Sequence, residues 1–219
     1  MGRRNRGTEH RLHQLYLIAD VGFAQSFDVD LVGVVEEFVS AGGRMVSLRC
    51  TEGDDRYLLE VGKEIAGLLY AVRGTFLVHR RVDLAMLLGA DGVHLPSKGF
   101  SKRELEQLMG RAVLGGRSCH SAEEIQRWQR VGGDFATLGP LFSSISKPEY
   151  GPQWEAEEFR DVARSSQVFI YALGGVVPEN VHQCFEAGAS GVAVVGGIMG
   201  AASPFEATQR YLEAIDEVF

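Results

Sequence analysis

The 219-residue chain is poor in cysteine, with three, and in proline, with six. Three cysteines without a Cys-x-x-Cys spacing make neither a disulfide framework nor a thiolate metal site, and they point to free thiols in a reducing compartment. Basic residues are in the minority: Lys plus Arg is 22 against 29 for Asp plus Glu, a net charge of −7. A chain so charged lacks the basic face that nucleic-acid phosphates require. Long hydrophobic runs are missing too. The longest uncharged stretch late in the chain, residues 188–204, is glycine-rich and too short to cross a bilayer. No apolar stretch of signal-peptide length follows the basic head MGRRNR, and Arg6 stands where a myristoylation motif needs Ser or Thr. The expectation is a cytoplasmic protein with neither nucleic acid nor membrane as partner, and with residues 1–12 as a solvated basic tail.

What is present is ordinary globular composition, 45% hydrophobic and 23% charged, enough to bury a core without disulfides. Short apolar runs alternate with amphipathic stretches. The runs at 15–19, 45–48, 75–78, 92–95, 112–114, 135–138, 168–172 and 191–195 predict strands buried on both faces. The stretches at 30–40, 55–71, 82–88, 101–109, 121–131, 156–165, 178–187 and 204–218 predict helices. Ser101 with Glu104 and Ser121 with Glu124 read as capping boxes, and Pro178 and Pro204 suit first turns. Ala41-Gly42-Gly43-Arg44, Leu88-Gly89-Ala90-Asp91, Val131-Gly132-Gly133-Asp134 and Ala187-Gly188-Ala189-Ser190 each close a helix on glycine and open a strand. One short loop used four times brings the helices back by one geometry. Eight strands and eight helices in one domain, residues 13–219, give an α/β (β/α)8 TIM barrel. A doubly wound open sheet is the runner-up.

Chemistry in such a barrel sits at the C-terminal ends of the strands. Gly174-Gly175 follows strand seven, and Val195-Gly196-Gly197 ends strand eight. Glycines at those two loops let backbone N–H groups approach a phosphate. The loop after strand six carries Ser143, Ser144, Ser146 and Lys147, which suit a carboxylate or phosphate but equally a polar surface loop. His120 follows strand five, and an imidazole moves protons near neutral pH. On spacing alone it is equally a helix-start histidine facing water. His94 reads as a core or rim residue, His10, His13 and His182 as surface, and Cys184 as packing. Cys119 and His120 are adjacent, so their side chains diverge. Asp20 stands alone and Asp91 belongs to the opposite face, so no metal and no cofactor is expected.

Several segments, taken in order, resemble the thiamine phosphate synthase/TenI family. They are Ala90-Asp91-Gly92-Val93-His94-Leu95, Gly116-Arg117-Ser118-Cys119-His120-Ser121, Gly139-Pro140-Leu141-Phe142 with Ser146-Lys147, Ala172-Leu173-Gly174-Gly175-Val176 and Gly188-Ala189-Ser190-Gly191-Val192-Ala193-Val194. The resemblance implies that Ser144, Ser146 and Lys147 hold a thiazole, and that Gly174, Gly175, Val195, Gly196 and Gly197 hold its phosphate. It implies Arg49 and Ser118 as further substrate contacts. The family's synthases join thiazole phosphate to a pyrimidine diphosphate with Mg²⁺, and that half departs here. Ser47-Leu48-Arg49-Cys50-Thr51 keeps only the arginine of a Gln-x-Arg-x-Lys pattern. His79-Arg80 replaces Asn-Asp, and Pro96-Ser97-Lys98-Gly99 lacks a second aspartate. Arginine in place of a metal-binding carboxylate repels a divalent cation. These departures resemble the TenI branch, which implies a metal-independent thiazole tautomerase with His120 as acid/base. A divergent Mg-dependent synthase, with Arg80 and Arg81 binding pyrophosphate directly, and a non-catalytic phosphate-ligand sensor stay open. So does a homo-oligomer.

Overall fold

The computed structural model describes residues 12–50, 54–143 and 153–219. Among these, eight parallel strands close into a barrel in sequence order. They are β1 (Leu15–Asp20), β2 (Met45–Arg49), β3 (Thr75–His79), β4 (Gly92–Leu95), β5 (Leu114–Cys119), β6 (Phe135–Leu138), β7 (Phe169–Leu173) and β8 (Gly191–Val194). β1 pairs with both β2 and β8, which rules out the open sheet. The surrounding helices are α1 (Val21–Phe27), α2 (Leu31–Ser40), α3 (Asp55–Ala71), α4 (Val82–Leu88), α5 (Lys102–Met109), α6 (Ala122–Arg130), α7 (Ala156–Ser165), α8 (Val181–Glu186), α9 (Gly196–Met199) and α10 (Pro204–Asp216). No helix of the described residues is long and apolar enough to cross a membrane.

Strand alternation sorts the side chains into two cores. Tyr16, Ile18, Met45, Leu77, Leu114, Phe135, Tyr171 and Ala193 fill the barrel interior. Their strand neighbours Leu17, Val46, Val78, Val93, Ala136, Ile170 and Val192 face outward into the larger core beneath the helices. The repeated helix-ending glycines Gly42, Gly89, Gly132 and Gly188 all have positive φ. Ser101 and Glu104 form both halves of a capping box.

Four expectations are corrected. Strand five is not 112–114 but Leu114–Cys119. The two glycines that masked it make room for neighbouring side chains: a Cβ on Gly116 would lie 2.0 Å from the Phe135 ring, and one on Gly115 would lie 2.8 Å from Lys102 and 3.3 Å from Trp128. α1 and α9, which carry no long periodic pattern, were not expected. Asp20 starts α1 by accepting the Phe23 backbone N–H at 2.9 Å. The stretch 178–187 divides into a 3₁₀ turn, Pro178–Asn180, and α8. Only half a capping box forms at Ser121, because the Glu124 carboxylate accepts the backbone N–H of His120 instead.

Candidate active site

The corrected course of β5 reassigns three neighbouring residues. Ser118 is half-buried on the inward side near the mouth, and its hydroxyl oxygen lies 3.0 Å from His94 Nε2. Arg117 and Cys119 face outward. Arg117 lies over the Trp128 ring, 4.1 Å from its centroid, and donates to the carbonyls of Gly99 and Phe100. Cys119 packs in the outer core, where burial pushes its thiol up to about 12. That disfavours the thiolate, so Cys119 is no nucleophile.

His120 is exposed just past the end of β5. Its backbone N–H donates to Glu124 Oε2 at 2.7 Å, and its Nδ1 lies 3.4 Å from the Gly139 carbonyl. A carbonyl only accepts, so a hydrogen bond there places the ring proton on Nδ1. Gly139 begins the loop after β6, which ties two sides of the mouth together through His120.

At the end of β2, Arg49 pairs with Asp20 at 2.8 Å. Asp20 is committed twice, to Arg49 through Oδ2 and to the first turn of α1 through Oδ1. Arg81, the alternative pyrophosphate ligand, is engaged by two carboxylates. Its guanidinium bonds Asp83 through two nitrogens and Asp55 through a third contact, at 2.7–2.8 Å. Those carboxylates raise the Arg81 pKa above its ordinary value. Arg80 is exposed and adopts φ +63, with its backbone N–H on the His94 carbonyl.

The glycine pairs have structural duties of their own. Gly174 and Gly175 adopt φ +96 and +62, and a Cβ on Gly175 would lie 2.4 Å from the Ser143 carbonyl oxygen. The carbonyls of Leu173, Gly174 and Gly175 accept from Leu141 N, Phe142 N and the Asn180 amide. In a trans peptide the N–H points opposite the C=O, so the N–H groups of Gly174, Gly175 and Val176 turn away from those partners. Gly196 and Gly197 open α9, where the first N–H groups have no preceding helical acceptor. Tyr211 joins the two loops: its hydroxyl donates to Val176 O at 2.8 Å, and a Cβ on Gly197 would lie 2.1 Å from the Tyr211 hydroxyl oxygen. Ser144, Ser146 and Lys147 lie outside the described residues. Ser143, at the described edge of that segment, receives a hydrogen bond from the Gln153 amide.

Sequence reading passed over a polar array below the mouth. Tyr16, Ser47, His79, His94 and Ser118 come from five adjacent strands and touch in the barrel interior. Burial, the other imidazole and Arg49 push His79 well below the ordinary histidine range. Burial and Arg49 hold His94 at about 3. The missed signal was parity, since each of these polar residues occupies an inward position on its strand.

Among the described residues no group of three or more His, Cys, Asp or Glu could hold a metal ion. The positions that the resemblance assigns to Mg²⁺ ligands carry Arg80 and Pro96-Ser97-Lys98-Gly99, with no carboxylate oxygen. The residues present do not fit that ion.

Fold and mouth together define a parallel (β/α)8 barrel with candidate chemistry at its C-terminal face. The family model described as thiamine monophosphate synthase (TMP-TENI) matches residues 15–198. The chain is 32% identical over 203 residues to a thiamine-phosphate synthase of Caldivirga maquilingensis, covering 93% of this chain and 97% of that one. It is 32% identical over 205 residues to a Synechococcus thiamine-phosphate synthase, covering 92% of this chain but only 57% of that longer protein. Thiamine phosphate pyrophosphorylase from Pyrococcus furiosus superposes with a TM-score of 0.82 at 25% identity, over 94% of this chain and 96% of that one. The chain therefore belongs to the thiamine monophosphate synthase/TenI family, a family of thiamine biosynthesis.

Proposed function

We propose that this chain is a thiazole tautomerase that works without a metal or other cofactor. One observation carries the reading. The residues that the resemblance assigns to a thiazole-phosphate half-site are present in the sequence, while Arg80 stands where the resemblance places a magnesium-binding carboxylate. In this reading the N–H groups around Gly174, Gly175, Gly196 and Gly197, with Val195, hold the phosphate. Arg49, Ser118, Ser144, Ser146 and Lys147 contact the rest of the substrate. His120 is the acid/base. Its neutral imidazole accepts a proton from one ring atom of a carboxylated, non-aromatic thiazole phosphate. The ring returns a proton at another atom, and the aromatic tautomer leaves with no net change in protons. The test is the tautomerisation rate of His120→Ala. A fall of about 10²–10⁴-fold is expected, and an unchanged rate rejects the role.

The names of the relatives favour a second reading, a thiamine-phosphate synthase. It predicts Mg²⁺-dependent product from thiazole phosphate and pyrimidine diphosphate, abolished by EDTA. Product in that assay overturns the tautomerase reading. Binding of thiazole phosphate without turnover in either assay identifies a sensor.

A further inference from the structure

The array beneath the mouth has a direction. Tyr16 Oη lies 2.9 Å from His94 Nδ1 and 3.4 Å from His79 Nε2. His79 Nε2 is 2.9 Å from Ser47 Oγ, and His94 Nε2 is 3.0 Å from Ser118 Oγ. Both rings are buried and held neutral. A neutral imidazole carries one N–H, so the choice of nitrogen on His94 orients both of its hydrogen bonds. A phenol is a stronger acid than an imidazole N–H, and an imidazole nitrogen is a stronger base than a phenol oxygen. The phenol therefore donates. It has one proton, and the 2.9 Å contact has far better hydrogen-bond geometry than the 3.4 Å one. His94 Nδ1 is thereby an acceptor, its proton sits on Nε2, and that proton goes to Ser118 Oγ. The Ser118 hydroxyl hydrogen is then not spent inward. In the opposite tautomer Ser118 would donate down to His94 and offer only lone pairs upward.

We propose that Tyr16, acting through His94, is a positioning residue that fixes Ser118 as a hydrogen-bond donor to the ligand. The ligand atom that meets Ser118 is then an acceptor, an oxygen or an unprotonated ring nitrogen. The inference rests on the thiazole reading only for the ligand's identity. The tautomer follows from the array alone.

The deciding experiment is a long-range ¹H–¹⁵N correlation spectrum of the ¹⁵N-labelled wild-type chain. His94 is expected to show a protonated Nε2 and a bare Nδ1. A protonated Nδ1 overturns the proposal whatever the ligand. Binding of thiazole phosphate supplies the second readout. Tyr16→Phe removes one oxygen and allows His94 to change tautomer, so Tyr16→Phe and Ser118→Ala should each weaken binding about 2- to 10-fold. The double variant should be no weaker than either single one, because both remove the same donor. Additive losses assign Tyr16 a packing role and overturn the proposal. If thiazole phosphate fails to bind the wild-type chain, the functional reading falls and the His94 tautomer still decides this inference. If Tyr16→Phe fails to fold, the wild-type spectrum decides it in the same way.

Discussion

The imidazole rings of His79 and His94 lie stacked inside the barrel, their centroids 4.2 Å apart and their planes 21° from parallel. Two rings so close and so buried stay neutral together, and acid therefore acts on the unfolded chain first. An unfolded histidine titrates near ~6.5. His94 in the folded chain titrates at about 3, and His79 lies well below its ordinary value. Below pH ~6.5 the unfolded state binds protons that the folded state refuses, so stability falls as the pH falls. Above that value the two histidines add no pH dependence. Urea unfolding at pH 7 and pH 5 should show His94→Gln losing about 2 kcal/mol less than wild type over that interval. Equal losses in the two proteins would mean that His94 takes its proton in the folded state.

Gly116 and Phe135 are equally tied. The Phe135 ring occupies the space of the missing Cβ, 2.0 Å from where it would stand, and contacts Tyr16, His94 and Tyr171 edge-on. Gly116→Ala should cost about 1–3 kcal/mol, as overpacking of a filled core does. Phe135→Leu in the same chain should recover part of that loss despite being destabilising alone. Additive losses in thermal or urea unfolding would show that the two residues do not share one space.

The same contact explains what the sequence hid. The alternation of apolar runs, the four glycine loops and the proline-led helix at 204 were legible, because each is set by local chemistry. β5 was not, because its run Leu-Gly-Gly-Arg-Ser-Cys gains its strand character from Phe135 and Trp128 on other elements. α9 was hidden because Gly196-Gly197-Ile198-Met199 is a single turn. In the site, His120 and the glycine pairs stood out by position after a strand. Tyr16, Ser47 and His79 did not, since a polar residue within a buried strand acquires a partner only when the barrel closes. Arg81 has partners that the sequence does not show. Its charge is spent on Asp83 and Asp55, of which Asp55 is 26 residues away in sequence.

Arg117 anchors the loop after β4 from the outside of the barrel. Its guanidinium bridges the Trp128 ring and the carbonyls of Gly99 and Phe100. Arg117→Met keeps most of the bulk over the indole and removes the donors. A loss of about 1–3 kcal/mol is expected from those charge-assisted bonds. Hydrogen exchange should locate the change: amides at 98–101 exchange faster, while those of the neighbouring strands slow or hold. Uniform acceleration across β4 and β5 would show that Arg117 supports the sheet rather than the loop.

Gly175 and Gly89 have nearly the same positive φ, +62 and +64, on opposite faces of the barrel. Gly89 ends α4, and a Cβ there meets nothing within 4 Å. Gly175 follows β7 at the mouth, where a Cβ would press on the Ser143 carbonyl and on Phe142. Gly89→Ala should therefore cost about 1 kcal/mol, the strain of a left-handed alanine alone. Gly175→Ala should cost more, because the loop after β6 must also move. If the Gly174–Val176 N–H groups hold the thiazole phosphate, the two variants separate on ligand. Thiazole phosphate should still raise the melting temperature of Gly89→Ala by the wild-type amount, and should no longer raise that of Gly175→Ala. Differential scanning fluorimetry across a ligand titration reads both effects at once. An undiminished ligand shift in Gly175→Ala would leave the glycine pair with a packing role only, and would move the phosphate to the α9 side of the mouth.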